Sequence, residues 1–311
     1  MANERFAIGI DLGGTRIKGV LICENGHVLQ KLTHPTLSDE NERTPSGDTW
    51  KQAIFELVQK LKECHPQGPQ EIKAIGLAAP GLPNETNDRI LHMPGRLRGL
   101  EQFEWGAFLD VKEASLSVLN DAQAALVAES SFGSGQGIEN IILLTLGTGV
   151  GGAILINGEL YQGNIQRAGH FGHISLNTSG PLGITGTPGS LEEAIGNATL
   201  TDRSLGEYDS TRELVDAFKA GDSFAAWVWL NSVRNLSIGI SSLINALSPE
   251  LVILGGGIAQ ADEALFDPLE RFLMKYEWQP DRVRTPVKKA TFHHFAGAMG
   301  AAMYSLKYGM H

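Results

Sequence analysis

Residues 6–23 read FAIGIDLGGTRIKGVLIC, and this stretch decides the fold. The apolar run Phe6–Asp11 ends in Gly13-Gly14, and a second apolar run, Arg16–Cys23, follows at once. Paired glycines between two such runs predict a hairpin of two strands. Because glycine has no Cβ, backbone N–H groups at such a turn can approach phosphate oxygens. The motif alone fits an ordinary hairpin and a phosphate grip equally well.

The same pattern begins again in the second half of the chain. The run Asn140–Leu146 is apolar, residues 147–152 read GTGVGG, and Ala153–Ile156 is apolar again. GTGVGG satisfies the G-x-G-x-x-G pattern of dinucleotide-binding proteins, but that pattern needs a helix directly after the turn. Since Ala153–Ile156 has the character of a strand, we predict a second phosphate hairpin and disfavour a nicotinamide oxidoreductase.

Helices and strands alternate after each hairpin. Trp50–Cys64 places apolar residues at helical spacing, and Ala296–Tyr308 predicts a terminal helix with small residues on one side. Buried strands are predicted at Ile72–Ala79, Ser115–Leu119 and Leu251–Leu254. Two successive units of this kind predict a duplicated α/β fold with two lobes and a central cleft.

Composition excludes several classes of protein. The 311 residues carry a net charge of −10, which argues against a nucleic-acid partner, since such a protein needs a basic face. The two cysteines, Cys23 and Cys64, suggest no disulfide framework, so we expect a cytoplasmic protein. No apolar run is long enough to span a bilayer, and we expect no membrane partner.

Two carboxylates and a third glycine turn follow predicted strands. Asp11 could hold Mg²⁺ directly or through water. Asp121 ends a strand and opens a helix, so it is either a helix N-cap or a catalytic base. The turn Gly255–Gly257 is either a helix entry or a surface for adenosine.

Four motifs occur in a fixed order: DLGGTRIK at 11–18, LND at 119–121, LGTGVGGAILING at 146–158 and LGGGI at 254–258. From Ile8 to Met303 the chain resembles the ROK family of sugar kinases, in the actin, hexokinase and heat-shock-chaperone ATPase superfamily. The resemblance implies a duplicated ribonuclease-H-like (actin-like ATPase) fold with ATP between its lobes. Residues 1–120 with 296–311 would form the N-terminal lobe and residues 121–295 the C-terminal lobe.

The resemblance also implies roles for single residues in an ATP- and Mg²⁺-dependent kinase. Asp121 would accept the proton of a sugar hydroxyl as it attacks the γ-phosphoryl group, and Asn120 and Gly81 would contact the sugar. Asp11 would hold Mg²⁺. The nucleotide would bind to Asp11, Gly13, Gly14, Thr15 and Lys18 in the first hairpin, to Gly147, Thr148 and Gly149 in the second, and to Gly255, Gly256 and Gly257 on the adenosine side.

One segment departs from the family pattern, which is G-E-x-G-H followed by a zinc knuckle, C-x-C-G-x-x-G-C-L-E. Here residues 169–173 read GHFGH and residues 183–192 read GITGTPGSLE. The three cysteine positions hold Gly183, Thr185 and Ser190, none of which supplies a thiolate. We therefore predict no structural zinc.

The acceptor side departs as well. His170 stands at the position of the family's first sugar-binding Glu, and Arg96 at that of an Asn; His173 and Glu192 complete the expected sugar contacts. Two explanations remain open. In the first, the pocket suits another neutral hexose or polyol, or the alignment near Arg96 is displaced by a residue or two. In the second, the acceptor is a sugar acid, since Arg binds carboxylate through a bidentate fork.

Two further expectations come from the resemblance. Family members that act as repressors carry a helix-turn-helix domain before the first glycine turn, and only ten residues precede Asp11. Kinases of the family suggest a homodimer. A catalytically weak sensor that binds sugar or nucleotide is the alternative to an enzyme, and the retained Asp11, Asp121 and Glu192 favour the enzyme.

Overall fold

The computed structural model describes residues 4–36, 48–93, 97–111 and 114–309. Two compact units are present. Unit 1 comprises Met1–Gly137, Gln162–Ala168 and Thr291–His311, and unit 2 comprises Ile138–Tyr161 and Gly169–Ala290.

In chain order the strands are β1 (Phe6–Leu12), β2 (Arg16–Cys23), β3 (Val28–Pro35), β4 (Ile72–Ala79), β5 (Leu82–Pro83), β6 (Ile90–His92), β7 (Ser115–Asn120), β8 (Ile141–Leu146), β9 (Val150–Ile156), β10 (Glu159–Leu160), β11 (Leu251–Gly255) and β12 (Val287–Lys289). The helices are α1 (Asp48–Glu63), α2 (Trp105–Phe108), α3 (Asp121–Phe132), α4 (Leu191–Ile195), α5 (Leu200–Arg203), α6 (Thr211–Lys219), α7 (Ser223–Leu247), α8 (Glu263–Tyr276) and α9 (Ala296–Tyr308).

Each unit contains a five-stranded sheet, and the two sheets have the same topology. The order is β3-β2-β1-β4-β7 in unit 1 and β10-β9-β8-β11-β12 in unit 2. In both, the first three strands along the chain are antiparallel neighbours, and the last two lie parallel to the first. This repetition confirms the predicted duplicated α/β fold. The strand after GTGVGG is present as β9, so the dinucleotide pattern is a coincidence of spacing.

Helix α1 covers one face of the first sheet, as its periodicity predicts. Its apolar residues Trp50, Ile54, Leu57, Val58 and Leu61 are all buried in one cluster with the strands. Burying such side chains contributes about 1.5–3 kcal/mol each relative to leaving them exposed, so packing fixes the helix on the sheet.

Helix α9, which belongs to unit 1, approaches β1 and α3 closely enough at two glycines for backbone to meet backbone. A Cβ added at Gly9 of β1 would meet the carbonyl of Ala298, and one added at Gly300 would meet the carbonyl of Ala124 in α3. Such close approach is possible only without side chains. Helix α3 therefore packs with α9 and belongs to unit 1, whereas the resemblance implied a boundary at residue 120.

Among the described residues, no helix is both long and apolar enough to cross a membrane.

Candidate active site

The first hairpin carries the predicted glycine turn, and Thr36 holds this turn through two hydrogen bonds. The Gly13 N–H donates to the carbonyl of Arg16 across the turn at 3.1 Å. The buried Thr36 hydroxyl donates to the carbonyl of Gly13 at 2.7 Å, and the Thr36 N–H donates to the carbonyl of Thr15 at 3.0 Å. In a trans peptide the C=O and the next N–H point in opposite directions, so the Gly14 N–H is directed away from Thr36.

Asp11 and Lys18 are cross-strand partners at the base of this hairpin. The Lys18 ammonium lies 3.2 Å from Asp11 Oδ2. Burial raises the pKa of the Asp11 carboxyl above its usual value, and the charge and hydrogen bond of Lys18 act in the opposite direction. A side chain at Gly297, where α9 begins, would also meet this carboxyl group.

The surroundings of Asp11 limit how a magnesium ion could bind there. Among the described residues no group of three or more His, Cys, Asp or Glu side chains could hold a metal ion. One carboxylate oxygen of Asp11 is already engaged by Lys18. Mg²⁺ keeps several waters and is held by one or two carboxylates together with substrate phosphates. Asp11 therefore fits an ion that arrives with a nucleotide.

Asn120, rather than Asp121, caps helix α3. The Asn120 side chain accepts the Ala122 N–H at 3.0 Å, and the Gln123 side chain accepts the Asn120 N–H at 3.2 Å, which together form a capping box. Asp121 is the first residue of the helix, is exposed, and its Oδ1 accepts the Ala122 N–H at 2.8 Å. The cap is therefore supplied without Asp121, and its exposed carboxylate stands beside the positive end of the helix.

Gly81 and Asn120 lie together at the carboxyl ends of β4 and β7. The Asn120 side-chain NH₂ donates to the Gly81 carbonyl at 3.0 Å. Gly81 has φ of 102°, and a Cβ there would meet the carbonyl of His92 at 2.7 Å. Both features require glycine. Unit 1 thus brings together Asp11, Lys18, Gly81, Asn120 and Asp121 at one edge of its sheet. The predicted contact Arg96 lies outside the described residues.

The second hairpin is held by hydrogen bonds in the same way, here from the segment between α4 and α5. The Asn197 N–H donates to the carbonyl of Gly147 and the Ala198 N–H to the carbonyl of Thr148, both at 2.9 Å. The N–H groups of Thr148 and Gly149 consequently point the other way. In the described part of the chain these two N–H groups have no partner. Successive N–H groups of this kind form a concavity for anions.

Glu192, a predicted sugar contact, lies at this hairpin. Its Oε2 accepts the Val150 N–H at 2.9 Å, and a side chain at Gly149 would collide with its carboxylate. Ser190 caps α4 by accepting the Glu193 N–H at 3.3 Å, which places Glu192 in the first turn. One carboxylate oxygen of Glu192 is therefore occupied, and the other accepts no hydrogen bond from the described residues.

The two predicted histidines lie side by side in unit 2. The rings of His170 and His173 are parallel, with centroids 6.1 Å apart. Their turn packs on β9: side chains at Gly152 or Gly172 would meet the ring of Phe171 or the carbonyl of Val150. The Leu191 N–H also donates to the Ile174 carbonyl at 2.9 Å, which connects the histidine turn to the helix of Glu192.

The former cysteine positions form a hydrogen-bonded loop. A Cβ at Gly183 would lie 3.1 Å from Ser190 Oγ, so these two positions are still neighbours. The Gly183 N–H donates to the Thr187 carbonyl at 2.9 Å, and the Thr185 and Thr187 hydroxyls lie 3.2 Å apart. Hydroxyl and backbone hydrogen bonds occupy the place where the family pattern has thiolates.

The third glycine turn packs against the second hairpin. Gly256 has φ of 86°, and a side chain there would meet the backbone of Leu146, the residue before Gly147. Beside this turn lies a cavity of about 640 Å³ within unit 2, with a lining that includes Gly147, Thr148, Asn197, Val215, Gly257 and Ile258. A cavity of this size and mixed lining is typical of sites for small molecules. The expected adenosine side is thus concave.

Sequence reasoning missed Thr36, Asn197 and Ala198. Each contacts a hairpin from a segment distant in sequence, and none lies in a recognisable motif. The only available signal was that glycine turns need partners for their carbonyl groups, since buried backbone groups are nearly always hydrogen-bonded.

Comparisons with known proteins bear on the family and the fold. The ROK family profile matches residues 7–307. Glucokinase of Thermotoga maritima is 31% identical over 316 residues, which cover 95% of each chain. The N-acetyl-D-glucosamine kinase of Haemophilus influenzae is 29% identical over 323 residues, covering 94% of this chain and 97% of that protein.

A solved structure extends the similarity to three dimensions. The ROK family glucokinase from Streptomyces griseus, in complex with glucose and AMPPNP, superposes with a TM-score of 0.77 at 27% identity. The match covers 97% of this chain and 99% of that one.

Proposed function

The chain belongs to the ROK family, and from this membership we propose that it is an ATP-dependent carbohydrate kinase with Asp121 as its general base. The reaction moves the γ-phosphoryl group of ATP to a hydroxyl of a sugar or sugar derivative. Relatives named for kinase activity on glucose and on N-acetyl-D-glucosamine support the reaction class.

One observation carries the proposal: each unit holds a glycine hairpin whose tip carbonyl groups accept hydrogen bonds from a segment distant in sequence. Thr36 does so in unit 1, and Asn197 and Ala198 do so in unit 2. This arrangement turns N–H groups outward, where phosphate oxygens can accept their hydrogen bonds. Phosphoryl transfer depends mainly on positioning and on stabilising charge, and rigid N–H donors supply both.

Magnesium belongs to the same proposal. Asp11 would hold the ion that comes with ATP, through water or through its carboxylate oxygen that faces away from Lys18. The ion would neutralise charge that develops on the phosphate oxygens. Burial raises the pKa of the Asp11 carboxyl, and Lys18 opposes this rise through its charge and its hydrogen bond.

Asp121 is suited to take a proton because it is exposed and is not needed to cap its helix. Its carboxylate would accept the proton of the attacking hydroxyl, a role that contributes about 10²–10⁴-fold to rate. Asn120 and Gly81, which are hydrogen-bonded to each other, would hold the adjacent part of the sugar.

The acceptor is proposed only as a class. His170, His173 and Glu192 would contact its other hydroxyl groups, and Arg96 would join them. A sugar acid fits the two changes from the family pattern, and a neutral hexose or polyol remains the alternative. We propose further that the enzyme is cytoplasmic and that it forms a homodimer. Light scattering of the purified chain would test the dimer.

The direct test is ADP release with ATP and Mg²⁺ across hexoses, N-acyl amino sugars, polyols and sugar acids. We expect turnover with one class. Binding of sugar or nucleotide without turnover of any acceptor would instead identify the catalytically weak sensor.

A further inference from the structure

Asn197 lines the 640 Å³ cavity of unit 2 between the second hairpin and helix α6. Its own N–H is bonded to the Gly147 carbonyl at the tip of the hairpin. The side chain is half-buried, so its polar atoms can still be reached from the cavity. No motif marks this residue.

The orientation of the Asn197 amide is fixed by Thr211, the first residue of α6. Asn197 Oδ1 accepts the Thr211 N–H at 2.8 Å and the Thr211 hydroxyl at 2.9 Å. A backbone N–H can only donate, so the atom facing it must be the amide oxygen and not the nitrogen. The Asn197 NH₂ group is therefore directed elsewhere, and across the described ranges it has no hydrogen-bond partner.

The turn that carries Asn197 is held at both ends by Arg203. The guanidinium donates to the Gly196 carbonyl at 2.6 Å and to the Thr199 hydroxyl at 3.3 Å. It also donates to the Ser232 hydroxyl of α7 at 2.5 Å. Burial lowers the pKa of Arg203 to about 10, against the opposing charge of Glu193, yet the group stays charged at neutral pH. A rigid turn thus presents Asn197 beside the hairpin.

We propose that the Asn197 NH₂ group donates a hydrogen bond to a phosphate oxygen of the bound nucleotide. The outward N–H groups of Thr148 and Gly149 mark the phosphate position, and Asn197 is bonded to the same hairpin. The cavity lined by Asn197 is also lined by Gly147 and Thr148, so the Asn197 amide would donate from the cavity side while the two N–H groups donate from the hairpin. Arg203 and Thr211 are positioning residues, which act through Asn197. This inference rests on the proposed function, because it assigns a contact within the same nucleotide site.

Replacement of Asn197 by Asp separates this role from a structural one. Asn197→Asp keeps an oxygen for Thr211 and nearly the same shape, but it puts a negative charge where the NH₂ group was. Asn231→Asp is the matched control, since Asn231 is exposed on α7 and does not line the cavity. Titration calorimetry with Mg²⁺ and AMPPNP, ADP or adenosine measures each affinity, and thermal unfolding checks the fold.

We expect Asn197→Asp to weaken AMPPNP binding by about 10–100-fold, as for a charge-assisted hydrogen bond replaced by repulsion. The loss is smaller for ADP and absent for adenosine, and Asn231→Asp binds like the unaltered chain. If Asn197→Asp unfolds, Asn197→Ser takes its place, since it removes the NH₂ donor without adding charge, and we then expect a loss of about 3–10-fold.

Two results overturn the inference. In one, AMPPNP binds the variant as tightly as it binds the unaltered chain. In the other, adenosine loses as much affinity as AMPPNP, which locates the contact on the nucleoside. Failure of the proposed function looks different, because then the unaltered chain itself neither binds AMPPNP nor turns over any acceptor.

Discussion

The hydroxyl of Thr36 donates a 2.7 Å hydrogen bond to the carbonyl of Gly13, a residue 23 positions earlier in the chain. Gly13 forms the tip of the first hairpin, and Thr36 is fully buried. The bond holds the inner face of the glycine turn and so fixes the direction of the N–H groups on its outer face.

Replacing Thr36 by Val removes this hydroxyl and keeps the shape of the side chain. The Gly13 carbonyl then loses a buried partner, which costs about 1–3 kcal/mol. We expect a lower free energy of unfolding and a higher KM for MgATP, measured by denaturation and by steady-state kinetics. Thr36→Ser retains the hydroxyl and should behave like the unaltered chain. Equal KM values in all three proteins would remove Thr36 from the phosphate site.

Lys18 is expected to determine, through Asp11, the pH at which activity falls on the acid side of the pH profile. Burial raises the pKa of the Asp11 carboxyl, and Lys18 lowers it. The proposed Mg²⁺ contact needs the ionised carboxylate, so we expect activity to fall as pH drops through this pKa. Lys18→Met removes the lowering influence and should move the acid limb to higher pH. The pH profile of kcat/KM for MgATP gives the limb, and Lys73→Met, an exposed lysine on β4, is the control. A limb that stays in place in Lys18→Met contradicts the coupling.

His170 is expected to determine which acceptor is preferred. His170→Glu restores the carboxylate of the family pattern beside His173. A carboxylate accepts hydrogen bonds from neutral sugar hydroxyls and repels an acidic acceptor. We predict that the ratio of kcat/KM for glucose to kcat/KM for a sugar acid rises about tenfold, which corresponds to one such contact. His27→Glu, at an exposed histidine just before β3, controls for added charge. An unchanged ratio in His170→Glu would place His170 away from the acceptor.

Gly300 is expected to be essential for stability, because a Cβ there would meet the backbone of Ala124. Gly300→Ala must separate α9 from α3, at a cost of about 1–3 kcal/mol or more. Gly106→Ala is the control, since a Cβ at Gly106 would lie 3.7 Å from Leu116 Cδ2, which is ordinary van der Waals contact. That change should leave stability unaltered or raise it by about 0.4–1 kcal/mol. Chemical denaturation of the two variants measures the difference, and equal midpoints would refute the tight α3–α9 contact.

Local sequence was sufficient to predict the strands of the two sheets, but not the hydrogen bonds that hold the hairpins. The runs around Gly13 and Gly147 show strand, turn and strand directly, because each pattern lies within about 18 residues. The contacts of Thr36 and Asn197 join segments 23 and 50 positions away from Gly13 and Gly147. Periodicity and spacing carry no information about such pairs, since they depend on how the chain returns to the hairpin.

The end of β7 shows a second limit of sequence reasoning. Asn120 and Asp121 are both good N-cap residues, so the sequence left the capping role of Asp121 open. The structure assigns the cap to Asn120, because the Gln123 side chain completes a capping box with it. Only the side-chain positions distinguish the two neighbours.

The catalytic role of Asp121 is tested most directly by the turnover of Asp121→Asn with the best acceptor. The amide cannot take a proton from the sugar hydroxyl, whereas the Asn120 cap and the fold should remain. Steady-state ADP release should show kcat lower by about 10²–10⁴-fold, with KM for MgATP within a few-fold of the unaltered chain. A kcat within threefold of the unaltered chain would contradict Asp121 as the base.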